Sequence, residues 1–156
     1  MKTCVTPQRG LDALKPYVPG KPIEEVQREY GLADVIKLAS NENPLGPSPM
    51  ALAAVSEALA NLNYYPDGQS CSLRQALADH LGPPLTPDHV TVGNGADGLI
   101  MQTCMAFLDE DCEAVVSASS FPVYDVYINV MRAKLVKTPL QNFRLDLEAM
   151  AQSVNE

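Results

Sequence analysis

The chain has 156 residues, 46% of them hydrophobic, and its 11 basic and 19 acidic residues give a net charge of −8 at pH 7. This acidic balance is spread without long blocks, which argues against nucleic acid or an anionic membrane as the main partner. No stretch approaches the roughly 18 apolar residues of a membrane span, and the first residues lack the apolar core of a signal peptide. We therefore expect a cytoplasmic protein long enough for one domain with a sizeable core.

The first half of the chain predicts short helices separated by proline-rich loops. Helical spacing predicts a helix over 23–30 that ends at Gly31, and the run 35–39 predicts a short strand. Ser48-Pro49 is typical of a helix start. Two apolar stripes at helical spacing follow, and we expect the first of them to lie in the core. They are Leu52, Val55, Leu59 and Leu62 in the helix that starts at Ser48-Pro49, and Leu73, Leu77 and Leu81 in the next helix, which ends at Gly82.

From His89 the pattern alternates between strands and helices, which is typical of parallel β-α-β units. Strands are predicted at 89–92, 114–118 and 135–138, and helices at 99–108, 123–131 and 145–154. Asp146 lies in the opening turn of the last helix, where a carboxylate favours the helix dipole. The predicted fold class is therefore α/β.

Residues 90–98 read Val-Thr-Val-Gly-Asn-Gly-Ala-Asp-Gly, so a β-branched run turns through glycines into the helix predicted at 99–108. Glycines let the backbone approach a ligand closely, and unpaired N–H groups at a helix start favour an anion. The pattern also satisfies the G-x-G-x-x-G of dinucleotide-binding folds, which need an acidic residue near the end of the next strand. That strand, 114–118, lacks one and leads instead to the rigid aromatic turn Phe121-Pro122. The residues favour a ligand with one phosphate and one flat ring, with a nucleotide-dependent oxidoreductase as an alternative.

Cysteines and histidines are few and widely spaced, so a metal site is poorly supported and we expect free thiols. These residues are Cys4, Cys71, Cys104, Cys112, His80 and His89.

Five segments, in this order, resemble the amino-terminal portion of the histidinol-phosphate aminotransferases. They are Lys15-Pro16-Tyr17-Val18-Pro19-Gly20, the run Lys37–Gly46, Tyr65-Pro66-Asp67-Gly68, Gly93-Asn94-Gly95-Ala96-Asp97 and Phe121-Pro122-Val123-Tyr124. The resemblance implies an incomplete pyridoxal-phosphate transferase fold of type I, an α/β/α arrangement with a mainly parallel sheet. It further implies an extended amino-terminal arm or part of a small domain at 1–45, and the first part of the large cofactor-binding domain at 46–156.

The resemblance also implies roles for individual residues. Gly95, Ala96 and Asp97 would contact the phosphate of pyridoxal 5'-phosphate through backbone and side chain, and Phe121 would stack on its pyridine ring. Tyr65 would reach across a homodimer interface to the phosphate in the neighbouring subunit. A turn, a core phenylalanine and a surface tyrosine are the ordinary alternatives.

Tyr17 and Asn41 match segments that approach the amino-acid or keto-acid substrate, although Asn41 also suits a turn before Pro44. Tyr124 and Tyr127 fit packing behind Phe121 equally well. In the family an acidic residue usually follows the position of Asp97, where this chain has Gly98, so the helix start loses dipole support.

The resemblance places no catalytic residue in this chain. Transamination requires a Schiff-base lysine, an acid partner for the pyridine nitrogen and an arginine for the substrate carboxylate, which in the family lie beyond the region covered. The lysines present match no such position: Lys2, Lys15, Lys21, Lys37, Lys134 and Lys137.

In this fold the strand predicted at 89–92 pairs with strands that come late in the sequence, whereas the next two pair with each other. We therefore expect the chain alone to be inactive in transamination and poorly stable without a partner. Another aminotransferase or decarboxylase of the same fold type, and a non-catalytic binding module, remain alternative functions.

Overall fold

The computed structural model describes residues 9–11, 14 and 19–155. They divide into two compact units: the described residues within Tyr17–Cys71 form one, and those within Met1–Pro16 and Ser72–Glu156 form the other. We call them the first and the second unit. Tyr17 lies outside the described residues, so its predicted role stays a prediction.

The first unit is built from two helices and the loops around them. Helix α1 (Ile23–Tyr30) ends as predicted, because Gly31 takes the left-handed conformation with φ of 65°. Helix α2 (Pro49–Ala58) begins at the predicted proline and continues as a single 3-10 turn, although Ser48 makes no side-chain cap hydrogen bond. The predicted strand at 35–39 is wrong, because those residues have no ladder partner within the described part of the chain.

The second unit alternates helices and strands as predicted. Its regular elements are α3 (Cys71–Leu81), α4 (Gly95–Phe107), β1 (Glu113–Ser117), α5 (Val123–Val130), β2 (Lys134–Thr138), β3 (Leu140–Gln141), β4 (Arg144–Leu145) and α6 (Leu147–Gln152). Single 3-10 turns cover Arg9–Leu11 and Pro87–His89. The first residue of α3 falls in the first unit.

Strands β1 and β2 are parallel and in register from Glu113↔Lys134 to Ser117↔Thr138. This arrangement confirms the expected β-α-β unit, because α5 connects two neighbouring parallel strands. A small core forms where α4 and α5 pack on alternate residues of the two strands. Its buried members are Cys104, Ile128 and Ala133, with Ile100, Ala114, Val116, Tyr127 and Leu135 partly buried around them.

The strand predicted at 89–92 is wrong. Residues 87–89 form a 3-10 turn, and Val90 is extended but belongs to neither two-stranded sheet of the described residues. A β-branched run becomes a strand only when a neighbouring strand accepts its backbone hydrogen bonds, and no described segment does so here.

Two helix boundaries differ from the prediction. Helix α4 begins at Gly95 rather than Leu99, so the glycine-rich residues 95–98 form its first turn. Helix α6 begins at Leu147, because Leu145 pairs with Leu140 in an antiparallel hairpin that we did not predict. Asp146 caps α6 by accepting a hydrogen bond of 2.9 Å from the N–H of Ala149.

The two apolar stripes form helices as predicted, but the expected placement of the first stripe in the core is wrong. Leu59 is 56% exposed and Leu81 is 61% exposed, and the other five stripe residues are exposed as well. The helical spacing of a stripe is a local property, whereas its burial depends on an element that covers it. No described element covers these two.

We expect truncation of a buried side chain and of an exposed one to change the stability of the second unit by different amounts. Ile128 is 2% exposed and Met105 is 62% exposed. Replacing Ile128 with Ala should lower the free energy of unfolding of the second unit by about 2 kcal/mol or more, because a cavity forms in the core. Met105→Ala should change it by less than about 0.5 kcal/mol. Urea denaturation followed by circular dichroism measures both, and equal effects would contradict a core centred on Ile128.

Candidate functional site

The three glycines of the turn into α4 differ in how far the geometry requires them. Gly95 begins the helix with φ of +66°, a conformation that side chains rarely adopt, and its N–H donates to the carbonyl of Gly93 at 2.9 Å. A Cβ on Gly93 would lie 2.8 Å from Cδ2 of Leu99, which is too close for a real contact. At Gly98 a Cβ would lie 3.6 Å from Cβ of Asn94, an ordinary distance. Gly95 is therefore required by its backbone conformation, a side chain at position 93 would require the Leu99 side chain to shift, and Gly98 is not a geometric requirement.

The first turn of α4 presents backbone donors that the protein does not use. Asn94 makes no side-chain cap hydrogen bond, and within the described residues the N–H groups of Ala96 and Asp97 have no acceptor. The N–H of Gly98 donates to the carbonyl of Asn94 at 3.4 Å. Unpaired amides at the positive end of a helix dipole form a binding site for an anion. This geometry agrees with the predicted phosphate turn.

Arg74 of α3 holds the segment that leads into this turn. Its Nε donates to the carbonyls of Pro87 and Val90, each at 3.0 Å, and its Nη2 donates to Pro87 at 2.7 Å. The Val90 carbonyl, which lacks a strand partner, is thus satisfied by a guanidinium group. No sequence pattern predicts this role, because the acceptors are backbone atoms 13 and 16 residues away.

A hydrogen bond joins the first turn of α4 to α5. The hydroxyl of Tyr127 donates to Oδ2 of Asp97 at 3.3 Å, which is long for an O–H···O bond. Burial, with the nearby Asp97 carboxylate as a smaller cause, raises the pKa of Tyr127, so the phenol stays protonated and remains a donor. Tyr127 is the functional candidate that sequence reasoning treated only as possible packing.

Phe121 lies directly before α5, on the segment that leaves the carboxyl end of β1. Its ring is 53% exposed, and its carbonyl accepts from the N–H of Tyr124 at 3.2 Å, so the segment is fixed by a helical turn. Pro122 follows with φ of −58°. A rigid, half-exposed aromatic ring is suited to stack on a planar ligand. Tyr127 belongs to α5, the helix that Phe121 precedes, and its hydroxyl bonds to Asp97 of α4. Phe121 and Asp97 are therefore connected through α5.

An open apolar cavity of about 470 Å³ lies between α4, β1 and α5. Its lining begins at Ala96 in the first turn of α4 and includes Leu99, Phe107, Val116 and Tyr124. No ionised side chain lines it, so it adds no group that could bind a phosphate. The donors of the site are the backbone amides at one end of α4.

Asn41 and Tyr65 belong to the first unit. Asn41 is exposed and has φ of 50°, which fits a turn. Tyr65 is fully exposed. The loop that carries Tyr65 is fixed by Asp67, whose carboxylate accepts from the N–H of Gln69 at 2.9 Å and of Cys71 at 2.7 Å. These two hydrogen bonds lower the pKa of Asp67.

Every described lysine is paired with a carboxylate. Lys37 contacts Glu42 at 2.5 Å, and Lys134 contacts Glu113 at 2.6 Å. The other two pairs are Lys21 with Glu29, and Lys137 with Asp125. An ion pair favours the charged ammonium, which is not a nucleophile. Each of these four lysines therefore has a carboxylate partner.

Three cysteines, Cys71, Cys104 and Cys112, are free thiols. Burial raises the pKa of the Cys104 thiol, which disfavours the reactive thiolate. In residues 9–11, 14 and 19–155, no three His, Cys, Asp or Glu side chains are grouped so that they could hold a metal ion. Across the same ranges, no helix combines the length and the apolar character that crossing a bilayer requires.

The glycine geometry gives a pair of substitutions with opposite expected signs. Gly95→Ala should lower the free energy of unfolding by about 1 kcal/mol, because an L side chain is strained at positive φ. Gly98→Ala should raise it by about 0.5–1 kcal/mol, because alanine is the better helix former and the space is available. Urea unfolding of both variants tests this, and a shift of the same sign in both would contradict the assignment.

Acid should weaken the loop that carries Tyr65. A carboxylate whose pKa is lowered by folding stabilises the folded state above its unfolded pKa of about 3.9, and this contribution is lost as pH falls through the folded value. Asp67→Asn should therefore reduce the loss of stability between about pH 5 and pH 2, measured by urea midpoints. Glu57→Gln, which removes a carboxylate from α2, is the control and should keep the full pH dependence.

Comparison with known proteins adds the family. Residues 33–156 match the model of the class I and II aminotransferases. A histidinol-phosphate aminotransferase of Carboxydothermus hydrogenoformans is 46% identical over 149 residues, which are 96% of this chain and 41% of that protein. One from Brevibacillus brevis is 49% identical over 149 residues, which are 96% of this chain and 40% of that protein. The chain thus spans about two fifths of the length of these relatives.

A solved structure agrees with these sequence matches. The histidinol-phosphate aminotransferase of Sinorhizobium meliloti, determined in complex with pyridoxal-5'-phosphate, superposes with a TM-score of 0.82 at 27% identity. The match covers 98% of this chain and 40% of that one. It confirms the predicted fold class, a partial α/β fold of the pyridoxal-phosphate aminotransferases. The chain belongs to the family of class I and II aminotransferases.

Proposed function

We propose that the chain is the amino-terminal portion of a pyridoxal-phosphate-dependent aminotransferase that transfers an amino group between histidinol phosphate and 2-oxoglutarate in histidine biosynthesis. The observation that carries the proposal is the first turn of α4, where the N–H groups of Ala96 and Asp97 are left for an anion. Relatives that cover nearly the whole chain are named histidinol-phosphate aminotransferases. The proposal includes a cytoplasmic location, a homodimer in the complete protein, and a domain boundary near residue 45.

The described residues fit the cofactor's phosphate and ring. Gly93 and Gly95 keep side-chain atoms away from the turn, so that a phosphate can approach the two free amides. Phe121 supplies a fixed aromatic face for the pyridine. When bound, pyridoxal phosphate supplies the electron sink for the reaction, whereas these residues bind and orient it.

The first unit would contribute residues that contact the substrate and the second subunit. Tyr65 is fully exposed, which a side chain that reaches a neighbouring subunit requires. Asn41 is exposed at a turn and could face an amino acid, and Tyr17 is assigned to the same role on the resemblance alone. In this proposal the catalytic residues lie outside this chain, as the resemblance implies, and the four described lysines are paired with carboxylates.

Phosphate and ring contacts do not read the substrate's side chain. The same site would therefore serve another aminotransferase or a decarboxylase of this fold type. Family membership favours these enzymes over a nicotinamide-dependent oxidoreductase, which only the glycine pattern supported. Comparison of amine donors on a complete enzyme would separate histidinol phosphate from other substrates.

The phosphate site can be tested with ligands that cannot react with amines. Pyridoxine 5'-phosphate and pyridoxine share the ring of the cofactor but carry no aldehyde, so surface lysines do not trap them. In titration calorimetry the chain should bind the phosphorylated ligand at least about tenfold more tightly, because charge-assisted hydrogen bonds form with the amides. Ala96→Pro removes one donor in a helical turn that accepts proline, and should abolish most of this preference.

A second pair of variants tests the ring contact. Phe121→Ala should weaken the binding of both ligands by about 3- to 10-fold, since stacking contributes about 0.5–1.5 kcal/mol. Phe143→Ala is the control, because Phe143 is 98% exposed in the same unit and has no proposed role. Equal affinity for the two ligands, or tighter binding of a nicotinamide dinucleotide, would refute the proposal. Stable dimers without cofactor binding would favour a non-catalytic module.

A further inference from the structure

Asp97 brings both a backbone donor and a negatively charged side chain to the proposed phosphate turn. Its backbone N–H is one of the two free donors of α4, but its carboxylate carries the same sign of charge as a phosphate. Two anions at a helix start repel one another, so a carboxylate that contacted the phosphate directly would oppose the binding that its own amide favours. The side chain needs another partner for the amide to act as a phosphate donor.

The structure supplies that partner from another helix. Oδ2 of Asp97 accepts from the hydroxyl of Tyr127, 30 residues away on α5. The Tyr127 ring is half-buried and packs beside the core members Cys104 and Ile128, so its hydroxyl is held in place by the body of the second unit. The bond therefore directs the carboxylate to α5.

The same bond connects the two parts of the proposed cofactor site. Tyr127 lies six positions after Phe121, on the helix that Phe121 precedes, whereas Asp97 lies in the turn with the free amides. We infer that Tyr127 is a positioning residue, which holds the Asp97 carboxylate away from a bound phosphate and fixes the phosphate turn relative to the aromatic platform. Asp97 then binds phosphate through its backbone, and its side chain is a tether. This inference rests on the proposed function.

The test compares two tyrosines of one helix. Tyr127→Phe keeps the packed ring and removes the hydroxyl that holds Asp97. It should weaken the binding of pyridoxine 5'-phosphate by about fivefold and leave the binding of pyridoxine unchanged, because only the phosphate is repelled by the released carboxylate. Tyr124→Phe removes a hydroxyl one turn earlier on α5 and should change neither affinity.

Rescue separates positioning from a general structural effect. Asp97→Asn in the Tyr127→Phe background removes the repelling charge and should restore the affinity for pyridoxine 5'-phosphate to within about twofold of the starting chain. A loss of fold in Tyr127→Phe would not be repaired by this second change. Circular dichroism of each variant confirms that the helices persist.

The outcomes distinguish this inference from the proposed function. If the starting chain binds both ligands equally, the proposed function and the inference fall together. If it prefers the phosphorylated ligand but Tyr127→Phe behaves like Tyr124→Phe, only the inference is overturned. It is likewise overturned if Asp97→Asn fails to restore binding, since the loss in Tyr127→Phe would then not come from the charge of the released carboxylate.

Discussion

The second unit depends on one unmet requirement of its backbone, the free N–H groups at the start of α4. Buried or unburied, a helix start must satisfy its first amides with a side chain, water or a ligand. Here the cap residue Asn94 makes no side-chain hydrogen bond, and Gly95 begins the helix with φ of +66°. Asparagine is among the preferred capping residues, yet its side chain is not used as a cap at this helix start. The uncapped start is therefore the feature that points to a bound anion.

Two side chains from different helices hold this start from opposite ends of the turn. Arg74 fixes the carbonyls of Pro87 and Val90 before the glycines, and Tyr127 contacts Asp97 after them. The planar guanidinium can satisfy two carbonyls at once, which a lysine could not do with the same geometry. Between these two attachments lies Gly95, whose φ of +66° begins the helix. Preorganisation of this kind lowers the entropy that a ligand would otherwise have to remove on binding.

The sequence predicted what is local and failed where the cause is distant. Gly31 as a helix end, Pro49 as a helix start and the alternation after residue 113 follow from backbone preferences within a few residues, and the structure confirms them. The strand at 89–92 and the burial of the leucine stripes depend on elements that must come from elsewhere in space. The hydrogen bonds of Arg74 and Tyr127 could not be predicted for the same reason, since their partners lie 13 to 30 residues away. The glycine pattern was found by its letters, but only coordinates showed that Gly98 is not a geometric requirement.

Binding and chemistry can be divided between segments of one enzyme because they use different groups. A phosphate needs oriented amides and a glycine turn, which a single helix start supplies. Covalent catalysis needs an amine with a lowered pKa, and the neighbourhood of a carboxylate has the opposite effect. Hydrogen bonding to Glu29 raises the pKa of Lys21, and the other described lysines also lie beside carboxylates. The uncapped amides of α4 favour an anion, and in our proposal the described part of the chain holds the phosphate of the cofactor, whereas the reacting groups belong to other segments of the enzyme.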